Sequence, residues 1–110
     1  MTENDDTGEI IVEVEEDLMD LIPRYMQHRR KDVKAIYKGL EEGDFEAIRG
    51  MGHSMKGSGG GFGFDEITEI GDRMEVAAKE GKADVIEKLT HELSNYLDRV
   101  RIVSIPNNDI

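Results

Sequence analysis

The 110-residue chain contains no cysteine, which removes disulfide frameworks, thiolate metal sites and thiol nucleophiles from consideration. It also lacks any apolar run long enough to span a bilayer. Its first residues, Met1-Thr2-Glu3-Asn4-Asp5-Asp6, offer neither the basic start nor the apolar stretch of a secretory signal. These absences lead to the expectation of a soluble, cytoplasmic, unexported protein. Basic residues are scarce as well, 14 against 25 acidic ones, for a formal net charge of -11. A surface of that sign repels phosphate backbones and anionic lipid, so nucleic acid and membranes are poor partners. It suits docking onto a locally basic protein surface, although solubility alone explains it equally well.

What is present suffices for one domain, since 37% of the residues are hydrophobic and can bury a single core. Residues 1–9 are polar and acidic and read as a flexible leader, residues 10–103 as the domain, and residues 104–110, with Pro106-Asn107-Asn108, as a frayed tail. Ile10 to Val14 is β-branched and short, and reads as an extended arm on the domain. Helical apolar spacing then begins. A short helix over about Glu15 to Ile22 is interrupted at Pro23, which opens a second helix carrying Tyr25, Met26, Val33, Ile36, Tyr37 and Leu40 as far as Gly43. Asp44 is placed to cap a third helix with Phe45, Ile48, Gly52 and Met55 on one stripe. Asp65 is placed to cap a fourth, with Ile67, Ile70, Met74 and Ala77 inward and Gly81 at its end. A fifth runs from about Lys82 to Val103. Short connections at Gly43 and Gly81 make neighbours antiparallel, so the predicted fold is all-α: an antiparallel up-and-down four-helix bundle with a short N-terminal lid helix.

The third helix holds the chemistry. At about 100° per residue, His53 points roughly 125° from the mean direction of the apolar stripe, towards solvent. Lys56, Gly57 and Gly60 follow at three, four and seven residues, on the face of the imidazole. A histidine in water has a pKa of about 6.5, so an exposed ring offers a nitrogen lone pair at neutral pH. Phosphoryl transfer asks a protein mainly for position and positive charge, which Lys56 supplies. Each helical glycine costs roughly 1 kcal/mol against alanine, a local rule broken beside the histidine, where bare backbone gives a visiting protein access.

Gly52-His53-Ser54-Met55-Lys56-Gly57-Ser58-Gly59-Gly60-Gly61-Phe62-Gly63 resembles the H-x-L-K-G-S-x-x-x-F-G signature of histidine phosphotransfer (HPt) domains, with Met55 in place of the usual leucine. The resemblance extends to Asp17-Leu18, Pro23-Arg24-Tyr25, the Gly43-Asp44 turn and Glu75 to Gly81, covering roughly residues 15 to 100. It implies that His53 accepts a phosphoryl group through Nε2, that Lys56 steadies the phosphoryl oxygens, and that Gly57 permits docking. The implied partner is a response-regulator receiver domain, free or within a hybrid sensor histidine kinase. The receiver's own aspartate and Mg²⁺ would do most of the catalytic work. No cofactor of the chain's own is implied, and the chain is expected to act as a monomer in a two-component phosphorelay. No G-x-x-x-x-G-K-[ST] is present, so ATP-dependent kinase activity of its own is not expected.

Other basic residues offer alternatives. Arg29-Arg30-Lys31 and Lys34 fall at about the level of His53 if the second and third helices are antiparallel. Arg30 and Lys34, with Gly60, are therefore candidate docking residues; a solvated charged stripe is the plainer alternative. His28 and His91 are expected on solvated faces. A di-metal bundle would need Glu-x-x-His pairs, and the residues three before the histidines are Tyr25, Gly50 and Lys88. The remaining alternative to transfer is a module with the same bundle that docks receivers without passing phosphate.

Overall fold

The four long runs of helical spacing form four helices in the computed structural model, which describes residues 8–107: α1 (Ile22–Glu42), α2 (Phe45–Ser58), α3 (Asp65–Lys79) and α4 (Ala83–Arg99). The first seven residues of the expected leader and the last three of the expected tail lie outside the described residues. Gly43 and Gly81 adopt left-handed backbone, φ 69° and 66°, which reverses the chain in a residue or two after α1 and α3. Each helix packs on its neighbours in the order α1–α2–α3–α4, and α4 closes against α1, as an antiparallel four-helix bundle requires. No helix among the described residues is long and apolar enough to cross a membrane.

The predicted stripes supply the core. Ile36 of α1, Ile48 and Met55 of α2, Ile67, Ile70 and Met74 of α3, and Ile86 and Leu93 of α4 are all fully buried. Each contributes about 1.5–3 kcal/mol of apolar burial. Ile86 rather than Val85 faces inward. Phe64 also fills the core, beneath the glycine-rich segment, where it stacks on Tyr25 with ring centroids 5.5 Å apart.

The lid is a short 3-10 helix, Glu16–Leu21, and Pro23 opens α1 in its first turn directly after it, as expected. Local expectations fail at two places. Asp65 lies inside α3, whose N-cap position belongs to Phe64 without a side-chain cap. The last helix stops at Arg99, not Val103, because Val100 turns extended (φ −71°, ψ 136°) and opens a strand. This strand, β2 (Val100–Ile105), pairs in parallel with β1 (Ile10–Glu15), in register from Ile10–Val100 to Glu15–Ile105. Ser104 and Ile105 of the expected frayed tail therefore belong to regular structure. Val100, Ile102, Val103 and Ile105 are β-branched and prefer a pleated, half-buried surface. Val12, Val14 and Ile102 turn towards the bundle, while Ile11, Arg101 and Val103 face out.

Candidate functional site

Asp44 starts α2 by accepting a hydrogen bond from the Ala47 amide at 3.1 Å, as expected of an N-cap. The other end is fixed by a buried network. Arg29 lies over the Tyr25 ring, 4.9 Å from its centroid, and donates to Ser58 Oγ at 3.0 Å; Ser58 donates in turn to the Tyr25 hydroxyl. Asp32 faces Arg29 at 2.9 Å; burial raises its carboxyl pKa, with the guanidinium pulling the other way. Arg29 is thus a strut between α1 and the end of α2, which a surface charge stripe would not be.

Between these anchors α2 meets α3 at backbone contact. A Cβ on Gly52 would lie 2.8 Å from the Glu75 nitrogen and 2.9 Å from the Gly71 oxygen; one on Gly71 would lie 2.6 Å from the Lys56 nitrogen. Only glycine fits either position. The close crossing brings Glu75 of α3 beside the residue after Gly52, which is His53. Nδ1 of His53 is 3.2 Å from Glu75 Oε2, with the histidine side chain 70% exposed and the glutamate side chain 12% exposed. An ionised carboxylate only accepts hydrogen bonds. A neutral His53 therefore keeps its proton on Nδ1, directed at Glu75, and carries its lone pair on Nε2 at the far side of the ring.

Cations gather around Glu75. Lys56 Nζ is 4.0 Å from Oε1 and 3.2 Å from Asp72, and Arg49 Nη1 is 3.9 Å from Oε2. By helical rotation Arg49 and Lys56, four before and three after His53, share the α3 side of the ring. Gly50 and Gly57, three before and four after, share the other side. A Cβ on either of those glycines would meet nothing within 4 Å, so the fold has no need of their bareness. The imidazole therefore has a charged flank and an empty one.

The sequence-predicted residues separate into two groups. His53, Lys56 and Gly57 stand together on α2. Gly60 lies just beyond, in a 3-10 turn (Gly60–Phe62), because α2 ends at Ser58; it is exposed but not in helical line with His53. Arg30 and Lys34 line a groove with Val33, Ser94 and Leu97, between α1 and α4 on the opposite side of the bundle. Arg30 is engaged there with Asp98 at 3.0 Å and with the Leu97 carbonyl at 2.8 Å. His28 and His91 are exposed, as expected, and the His91 ring meets Tyr37 edge-on. Sequence reasoning missed Glu75, Arg49 and Gly50. The available signal was Gly71, a glycine within a helical stripe four residues before a carboxylate, which marks close helix approach and a polar group on the same face. Among the described residues no cluster of three or more His, Asp or Glu side chains is placed to hold a metal ion.

The family model for the Hpt domain matches residues 11–102. No curated protein and no solved structure matches the chain.

Proposed function

Since the chain belongs to the Hpt domain family, whose members carry histidine phosphotransfer in phosphorelays, we propose that His53 accepts a phosphoryl group from the aspartate of a receiver domain and returns it to one. The observation that carries this reading is the 3.2 Å contact between His53 Nδ1 and Glu75 on an otherwise open ring. In the forward step the Nε2 lone pair attacks phosphorus, the N–P bond forms, and the bond from phosphorus to the aspartyl oxygen breaks, restoring the receiver's carboxylate. The ring gains positive charge as it does so. The Nδ1 proton stays shared with Glu75, whose negative charge offsets that gain without a proton leaving the site.

Lys56 has the role of a mobile cation. It rests on Asp72 through a half-exposed ion pair, worth about 0–1 kcal/mol, and turns from it to the phosphoryl oxygens at little cost. The receiver approaches over Gly50 and Gly57, with Gly60 at the edge of the footprint; Arg30 and Lys34 are outside it. The divalent cation of the reaction, Mg²⁺, belongs to the receiver. The test is to mix the protein with a phosphorylated receiver and assay for acid-labile, base-stable phosphate. Label on the wild type and none on His53→Gln is the expected result; no label with a competent receiver, or label surviving the substitution, refutes the assignment.

A further inference from the structure

Arg49 has no part in the chemistry assigned so far, yet it is as close to the site as Lys56. Four residues before His53 and three after it, the two cations project to the same side of the ring, within about 20° of each other around the helix. Both reach Glu75, at 3.9 Å and 4.0 Å, and Glu75 is 3.2 Å from the imidazole. Lys56 faces two carboxylates, Asp72 and Glu75, so a phosphoryl group held by it alone would enter a site with more negative than positive charge.

Arg49 is at present occupied by Glu46, through Nε to Oε1 at 3.2 Å and a second contact to Oε2. The guanidinium's hydrogen bond and charge lower the Glu46 pKa. Glu46 is nevertheless solvated, with 78% of its side chain exposed, and such an i,i+3 pair is weak in water. A phosphoryl group offers up to two charges and three acceptor oxygens against one charge and two oxygens. The planar guanidinium fork also matches phosphoryl oxygens in two parallel bonds.

Resting on the phosphotransfer reading of His53, we infer that Arg49 is a second phosphoryl-binding residue, kept in reserve by Glu46 and released to clamp the phosphohistidine together with Lys56. It makes and breaks no covalent bond; it stabilises the phosphorylated state of the domain.

The experiment is an equilibrium one. The full chain and a phosphorylated receiver are left until the phosphate on each is constant, and the ratio of phosphorylated chain to phosphorylated receiver is measured. A residue that only docks the receiver changes forward and reverse transfer alike and leaves this ratio where it was, whereas one that holds the phosphoryl group moves it. Arg49→Gln is expected to lower the ratio roughly three- to tenfold, and Arg49→Lys to recover part of the loss. Glu46→Gln, which frees the guanidinium, is expected to raise it about twofold, a gain that vanishes in the double variant. An unchanged ratio in Arg49→Gln, or a Glu46→Gln gain that persists without Arg49, overturns the clamp while leaving His53 as the acceptor. Absence of phosphate on the wild type overturns the phosphotransfer reading and the clamp with it.

Discussion

The two helix pairs on opposite sides of the bundle, α1–α4 and α2–α3, use the same side-chain chemistry to different ends. Between α1 and α4, Arg30 is matched to Asp98 and the Leu97 carbonyl, and His91 lies against Tyr37, so that these contacts tie the two helices together. Between α2 and α3, the basic groups of Arg49, His53 and Lys56 converge on Glu75 while Arg49 and Lys56 rest on the solvated carboxylates of Glu46 and Asp72, and the helices are brought together by backbone contact at Gly52 and Gly71 instead. A charged group whose partner is shared and replaceable is free to respond to an arriving anion. One with its own partner contributes to the fold.

The largest difference between the two sides is expected from substitution of their histidines. His53→Gln is expected to abolish phosphate uptake, and His91→Gln to leave it at the wild-type level, both exposed imidazoles being removed without disturbing the core; autoradiography after acid and base treatment distinguishes them. The next largest effect is on stability. Gly52→Ala forces α2 and α3 apart and is expected to cost about 2–3 kcal/mol, lowering Tm by about 10 °C or more. Gly50→Ala, two residues away on the same helix but in open space, is expected to raise stability by up to about 1 kcal/mol while slowing transfer from a receiver. Thermal unfolding beside a transfer time course tests both, and a Gly50→Ala protein that is stabilised with undiminished transfer would remove the bare flank from the docking footprint.

How far the sequence reaches is clear from these same residues. Asp44 at the head of α2, the reversals at Gly43 and Gly81, and the outward direction of His53 follow from neighbours within a few positions, and the structure agrees with each. Glu75 was not legible in the same way. Periodicity tells which face of α3 is buried, but which residue of α2 that face meets depends on how deeply the helices approach, and that is set by a glycine pair 19 positions apart in the chain. Arg29 reads as part of a basic cluster until Ser58, 29 positions on in the chain, is brought to it by the fold; Tyr25, one turn before it on α1, already lies beneath its guanidinium. The strand after Arg99 carries apolar residues that also suit a helix; a distant partner, β1, decides the outcome.

Smaller effects sharpen the contrast. Glu75→Gln is expected to reduce transfer on the order of tenfold by loosening the Nδ1 contact, with K56A as the companion that removes charge but leaves the ring orientation. Arg30→Ala is expected to cost roughly 1 kcal/mol in urea unfolding and nothing in transfer, since its bonds lie on the other side of the bundle. Least of all at neutral pH is Tyr96, buried in α4, whose phenol is pushed up to about 12, mainly by desolvation. The unfolded chain releases that proton near pH 10 while the folded one retains it, so stability should fall as pH rises from about 10 to 12. Tyr96→Phe should flatten that part of the unfolding profile.

In the proposed mechanism Glu75 holds the proton of His53 on Nδ1 and leaves Nε2 to meet phosphorus. Long-range proton–nitrogen NMR of the imidazole, before and after phosphorylation, reads this directly. The Nδ1–H tautomer in the free protein and phosphorus coupled to Nε2 in the loaded one are the expected result. An Nε2–H tautomer, or phosphorus on Nδ1, would contradict it.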